Sequence, residues 1–331
     1  MSFPRIVLIG IIAVFALIAM MGLMKRSRVH QASVITDKME NVQEITLDAD
    51  SASLDGLVAT ADDSVLSIEP KDLLPDADLA EGFFTTGMKK LPFVETLTYT
   101  SRVPWLKGRP AWIADYASYF ETSRHFIARS LNKKPDYFTQ KVAPGDRFNV
   151  FRKDLNISFY LLVDLSRLKM WFYCVDMDKN ERLLVKTYPV GAGRKDSKSP
   201  SGCLTPAGKY TLGSKIALYK PGTMGYFQDR KIEMIRVFGT RWIPFDKELS
   251  DCSEGARGYG LHGAPWSNDP ESGQFVEESD KIGVYDSDGC LRMNARDIEE
   301  LFSIIITKPC VIELVNDFYE ATLPGMEMQL K

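Results

Sequence analysis

Cys290 ends the polar turn Ser287-Asp288-Gly289-Cys290, and a helix-like run follows from Ala295 to Ile305. A thiol at a glycine turn leading toward a helix meets backbone N–H groups that favour its anion and can receive a developing oxyanion. Upstream, His262 closes the short apolar run Tyr259-Gly-Leu-His262 beside Gly263. An imidazole brought alongside a thiol can take its proton, the pairing that nucleophilic acyl transfer needs. One Cys and one His chosen blindly are better read as a small buried hydrophobe and a satisfied core histidine. Here the flanking residues reverse that preference.

Those flanks carry a resemblance. The HG of His262-Gly263 and the later S-x-G-C-[aliphatic]-R-M of Ser287 to Met293 resemble the signature of the L,D-transpeptidases, the YkuD (ErfK/YbiS/YcfS/YnhG) catalytic domain. Tyr188 to Leu212 (YPVGAGRKDSKSPSGCLTPAGKYTL) resembles that family's strand, glycine turn and TPxG block, so the likeness spans roughly Leu155 to Asn316. Two departures stand out: Asp288 occupies the place where many members carry a second histidine, and the gap between His262 and Ser287 is longer than usual. The polar stretch Ser267 to Ser279 accounts for the excess as a surface excursion.

The resemblance implies a mainly β fold, a β-sandwich catalytic domain with one main helix after the nucleophile. It also implies an acyl-transfer reaction. The Cys290 thiolate attacks the amide after the L-centre of a diamino acid in a peptidoglycan tetrapeptide, D-Ala leaves, and an amine of a neighbouring stem resolves the thioester into a 3→3 cross-link. Resolution by water or another amine would make an L,D-carboxypeptidase, an endopeptidase or an enzyme attaching a protein to the wall. A retired wall-binding anchor is a third reading, against which the intact HG and S-x-G-C-x-R-M blocks speak.

Within this scheme His262 is the base, with the Gly263 carbonyl on its other ring nitrogen as the family suggests. The N–H groups of Gly289 and Cys290 form the oxyanion hole, where losing one donor costs about 3–4 kcal/mol. Arg292 suits a substrate carboxylate, or a salt bridge that steadies the loop. Ser287 hydrogen-bonds the nucleophile loop or simply caps the turn, the cap being preferred. Asp288 pairs with His262 or faces water, and Tyr259 and Trp242 either line the cleft or simply pack. Cys174 and Cys310 lie in apolar strands and read as core; Cys203 and Cys252 pair only if an oxidising space and the fold both allow it.

Composition narrows the field. A net charge of −3, with no basic cluster outside Lys25, Arg26 and Arg28, argues against a nucleic-acid partner. Three dispersed histidines and no C-x-x-C pattern leave no metal site, and no cofactor is expected.

In chain order, Ile6 to Met24 is an uncharged apolar run of 19 residues, which as a helix spans about 28 Å. It lacks a small-x-small cleavage site, so residues 1–30 read as an uncleaved single-pass anchor in the cytoplasmic membrane. The basic residues after it favour a cytoplasmic C-terminal part; wall chemistry requires the opposite, and the chemistry is preferred, placing the catalytic domain on the extracytoplasmic side. Residues 31–96 read as an acidic flexible linker, since Gln31 to Glu81 holds thirteen Asp or Glu against Lys38 and Lys71.

Residues 97–152 read as strand (Thr98–Trp105), two helices (Ala111–Phe120, Ser123–Leu131) and returning strand (Phe138–Phe151). This βααβ layout resembles a LysM module, which implies binding to the glycan of peptidoglycan. Residues 153–318 form the catalytic domain. Its strands are expected at Ile157–Val163, Leu168–Cys174, Leu183–Val190, Lys209–Leu212, Ile232–Val237 and Val311–Val315, and its helix at Ala295–Ile306 with Ile298, Leu301, Phe302 and Ile305 inward. Residues 319–331 are a tail.

Overall fold

A computed structural model describes residues 74–132, 141–214 and 216–330. The expected anchor and most of the expected linker lie outside the described residues. Among the described residues no helix is long and apolar enough to cross a membrane.

The chain enters through α1 (Glu81–Phe84) and β1 (Val94–Thr98), then α2 (Ile113–Tyr119), α3 (Arg124–Asn132) and β2 (Arg147–Phe151). β1 and β2 pair antiparallel, Val94 opposite Phe151. The first strand therefore sits earlier than the sequence predicts, ending rather than starting at Thr98.

β3 (Ile157–Asp164), β4 (Lys169–Asp176) and β5 (Glu181–Pro189) form a meander. β6 (Ala192–Gly193), β7 (Gly208–Leu212) and β8 (Ala217–Leu218) come next. The hairpin of β9 (Met224–Phe227) and β10 (Arg230–Glu233), the short α4 (Ile235–Phe238), β11 (Arg241–Ser250) and β12 (Gly260–Gly263) follow. A second hairpin, β13 (Trp266–Asn268) and β14 (Phe275–Glu277), precedes β15 (Tyr285–Ser287) and β16 (Leu291–Met293). The chain closes with α5 (Ala295–Ile305), β17 (Cys310–Val315) and β18 (Met326–Glu327). The fold is mainly β. Ten of its strands form one sheet that runs β16-β12-β11-β7-β17-β3-β4-β5-β18, with β8 on β11, where the resemblance implies a β-sandwich.

β3 and β4 read as nearly unbroken apolar runs because both their faces are covered. Phe159, Leu161, Val163 and Phe172 face the main core. On the other face Trp171 donates its indole N–H to the Pro75 carbonyl at 2.7 Å, with Phe318 4.7 Å from its ring. Two segments expected to be loose are therefore packed. The Leu79 N–H bonds to Val185 O and the Thr187 N–H to Ala77 O, while β18 runs parallel to the start of β5. Together they cover an outer strand edge that would otherwise be open to pairing. The linker expected to reach residue 96 is thus packed from about Pro75, and the tail is anchored at Met326.

α5 buries Ile298, Leu301, Phe302 and Ile305 as its spacing predicts. Ser303 and Ile304 are buried as well, because α3 covers the helix from outside: Ser123 Oγ donates to Ser303 O at 2.7 Å, and His125 meets Phe302 edge-on. Nor does packing break at residue 152. Phe151 lies 4.7 Å from Phe126 and 5.8 Å from Phe159, inside one core.

Three local readings change. Ile232–Val237 is the end of β10 and the start of α4 rather than one strand. β11 escapes the sequence reading because Pro244 interrupts it and its outer half, Asp246 to Ser250, is polar and exposed. The Ser267–Ser279 excursion folds largely as the β13–β14 hairpin.

Candidate active site

Every residue of β12 is buried. It pairs antiparallel with β11, placing Trp242 opposite His262, and parallel with β16, placing Arg292 opposite His262. Gly260 is required there, since a Cβ would stand 2.6 Å from Ile243 O. The imidazole lies edge-on to Phe238 at 5.4 Å and tilted to Trp242 at 5.9 Å. His262 Nδ1 is 2.7 Å from Gly263 O. A carbonyl can only accept, so Nδ1 carries the hydrogen and Nε2 keeps its lone pair.

Cys290 precedes β16 by one residue. The β12–β16 register brings it level with Gly260, and strand alternation puts it on the same face as Arg292 and His262. Strand spacing and rise put its Cα about 8 Å from that of His262. Sγ lies 3.6 Å from Gly258 O, and the Gly260 N–H also faces it. Gly289 holds φ of 120°, and a Cβ there would meet the Tyr259 ring at 2.6 Å, so this turn accepts only glycine. Ser287 ties the loop: its Oγ donates to Cys290 O at 2.6 Å and accepts the Gly289 N–H at 3.1 Å. That last bond corrects the expected oxyanion hole, because the Gly289 donor is committed inside the loop.

The charge state also differs from the sequence expectation. Burial pushes the half-buried Cys290 thiol up to about 12, with Asp288 adding to the rise and the Gly260 N–H and Arg292 opposing it. The lowering influences expected from a turn and a helix N-terminus are outweighed by desolvation. α5 begins only at Ala295, beyond β16, and the Ala295 N–H is taken by Glu277 at 2.5 Å. His262 falls to about 4, first through burial and then through Arg292, against the Gly263 hydrogen bond. At rest the pair is neutral thiol and neutral imidazole.

Asp288 faces outward and pairs with Arg194 at 2.6 Å, so it does not orient the imidazole. Arg292 Nη1 meets Asp286 Oδ2 at 3.1 Å, and Lys281 meets the same oxygen at 3.1 Å. Tyr259 packs on Gly289 of the Ser287–Cys290 turn and Trp242 on the histidine. Cys174 and Cys310 are buried in the sheet, each thiol pushed up by burial. Cys203 and Cys252 are free thiols. Sequence reasoning missed Phe238, Asp286, Lys281 and Arg194. Arg194 lies within the glycine-turn block Tyr188 to Leu212, which is the one signal available for it; Phe238 ends a short helix whose start is read from the sequence as part of the strand Ile232–Val237.

The model of the L,D-transpeptidase catalytic domain, YkuD, matches residues 158–312. No curated protein matches. Among solved structures, Bd1075 of Bdellovibrio bacteriovorus is 16% identical over 48% of each chain, with a TM-score of 0.31. The helical cell shape determining protein Pgp2 of Campylobacter jejuni is 15% identical over 51% of this chain and 50% of its own, also with a TM-score of 0.31. The matched region spans about half the length of each of these structures.

Proposed function

We propose, from the premise that residues 158–312 belong to the L,D-transpeptidase catalytic-domain family, that the chain is a peptidoglycan L,D-transpeptidase working through Cys290 and His262. The observation that carries this reading is the Nδ1 lock on Gly263 O, on the face that also bears Cys290. It leaves Nε2 as a base of fixed tautomer and makes a carboxylate partner unnecessary.

In this mechanism His262 Nε2 accepts the thiol proton as sulfur attacks the carbonyl carbon of the amide after the L-centre. The C–N bond breaks, the proton passes to the departing amine of D-Ala, and a thioester remains. An acceptor amine from a neighbouring stem then attacks the thioester, and sulfur leaves with a proton returned through His262. With the Gly289 N–H committed, the Cys290 N–H is the oxyanion donor we assign. Incubating purified protein with tetrapeptide muropeptides tests the reading. A cross-linked dimer supports transfer, tripeptide monomer alone means hydrolysis by the same half-reaction, and neither product with no acyl adduct refutes it.

The βααβ segment is proposed to bind the glycan to which those stems are attached. Trp112 is 66% exposed at the start of α2, with Arg109 5.4 Å from its ring and held by Asp115. An exposed indole beside a fixed cation offers a sugar ring an apolar face and a polar edge. Co-sedimentation of the protein with insoluble peptidoglycan, lost in Trp112→Ala with acylation intact, is the expected result. Undiminished sedimentation removes the assignment. The substrate also requires the domain to lie outside the cytoplasm, held by the Ile6–Met24 anchor. An N-terminus beyond Lys25 on the native protein would refute the anchor.

A further inference from the structure

Arg292 occupies a position that no step above uses. It is the cross-strand neighbour of His262 and lies two residues beyond Cys290 on the same face. Its side chain is 16% exposed. Nη1 is held by Asp286, and Nε is buried with no partner among the described residues. Reciprocal backbone bonds of 2.9 Å with Gly191 pin its main chain on the far side from β12. The guanidinium is therefore a fixed charge.

The other ionisable groups near the thiol can be placed one by one. Asp288 is drawn outward by Arg194. Asp286 is shared between Arg292 and Lys281. Tyr259 packs on Gly289 with Glu254 near its phenol. His262 is neutral at rest, its Nδ1–H spent on Gly263 O. In a thiol site where the histidine is uncharged, a cation must come from elsewhere if the sulfur anion is to be held. Of these groups Arg292 is the permanent cation that also faces His262.

We propose that Arg292 is the positioning charge of this site. It supplies a permanent field that favours the Cys290 anion whether or not His262 carries the departing proton, and Asp286 sets how much of that field reaches the sulfur. The same charge opposes an imidazolium, so a proton taken by His262 is passed on to the leaving amine rather than stored. This rests on Cys290 as nucleophile, but its test reads the thiol itself and needs no turnover.

The experiment follows iodoacetamide modification of Cys290 in the full-length protein, by peptide mass spectrometry, across neutral to alkaline pH. An opposite charge at close range is worth about 1–3 pKa units. Arg292→Met is therefore expected to slow the reaction at a fixed mildly alkaline pH about tenfold and to move its pH profile upward. Arg292→Lys keeps the charge and should stay within about threefold of the native rate. Asp286→Asn should act in the opposite direction, speeding the reaction about threefold. If Arg292→Met and Asp286→Asn both slow it, the pair merely props the loop and the proposal fails. It fails equally if neither alters the rate. Should Arg292→Met not fold, the opposed effects expected of Asp286→Asn and near-neutrality of Arg292→Lys still decide the matter. Loss of acyl transfer with these shifts intact would sink the transpeptidase reading alone.

Discussion

Phe238 is the residue whose loss should change how this site responds to acid. Its ring lies 5.4 Å from that of His262, forming with Trp242 the apolar wall that keeps water from the imidazole. Burial is the largest cause holding His262 at about 4. At pH 5 a histidine titrating at 4 is about 90% neutral, whereas one at the ordinary 6.5 is only about 3% neutral. The base must be neutral to act. Native protein should therefore form its acyl adduct at pH 5 nearly as fast as at pH 7. Phe238→Ala admits water, lets the imidazole drift back toward 6.5, and should cut the ratio of the two rates from about 0.9 toward about 0.04. The assay is intact-protein mass against time with a carbapenem, at both pH values, with the adduct mapped to Cys290. A native rate at pH 5 that has already dropped to a few per cent would refute the buried neutral base. A Phe238→Ala variant with the native ratio would refute the wall as its cause.

The remaining expectations concern the same stretch. Cys290→Ala should form no adduct under the same mass assay, because the sulfur proposed to attack is gone and Cys174, Cys203 and Cys310 are buried. His262→Ala should slow acylation by about two to four orders of magnitude, the usual worth of a general base. Asp288→Ala should change the rate less than about threefold, since its partner is the exposed Arg194; a loss comparable to that of His262→Ala would instead make it the orienting group. Ser287→Ala strands the Gly289 N–H, and denaturant unfolding should show a loss of about 1–3 kcal/mol.

How much of this was legible in the chain depends on whether the cause was local. The β3–β4 meander and the inward stripe of α5 follow from residue periodicity, which a sequence displays directly. Cys290 and His262 stand out because the HG and S-x-G-C-x-R-M blocks around them resemble the L,D-transpeptidase signature, and the β12–β16 register sets those two blocks side by side. The Asp288 alternatives, by contrast, turned on Arg194, more than ninety residues away. The oxyanion expectation failed on one side-chain orientation, since nothing in the spelling Ser-Asp-Gly-Cys says that the serine hydroxyl will take the glycine N–H. The thiol expectation failed for a different reason: turns and neighbouring charges can be guessed from sequence, but desolvation depends on everything packed around the sulfur.

The same distinction governs the N-terminal segment. Read along the chain, 75–96 is acidic or breaker-rich and 97–152 looks detachable, because each has a composition of its own. In space, Ala77 and Leu79 hydrogen-bond with β5, while Phe83, Phe126 and Phe151 stand on one another and on Phe159. Each such ring contributes about 1.5–3 kcal/mol by its burial, so cutting at residue 152 would expose the inner face of the catalytic sheet. α3 also holds α5 through Ser123 and Ser303, and α5 follows Cys290 by only a short strand and a turn. The segment that looks like an appendage in the sequence thus packs on the helix that follows Cys290 in the chain.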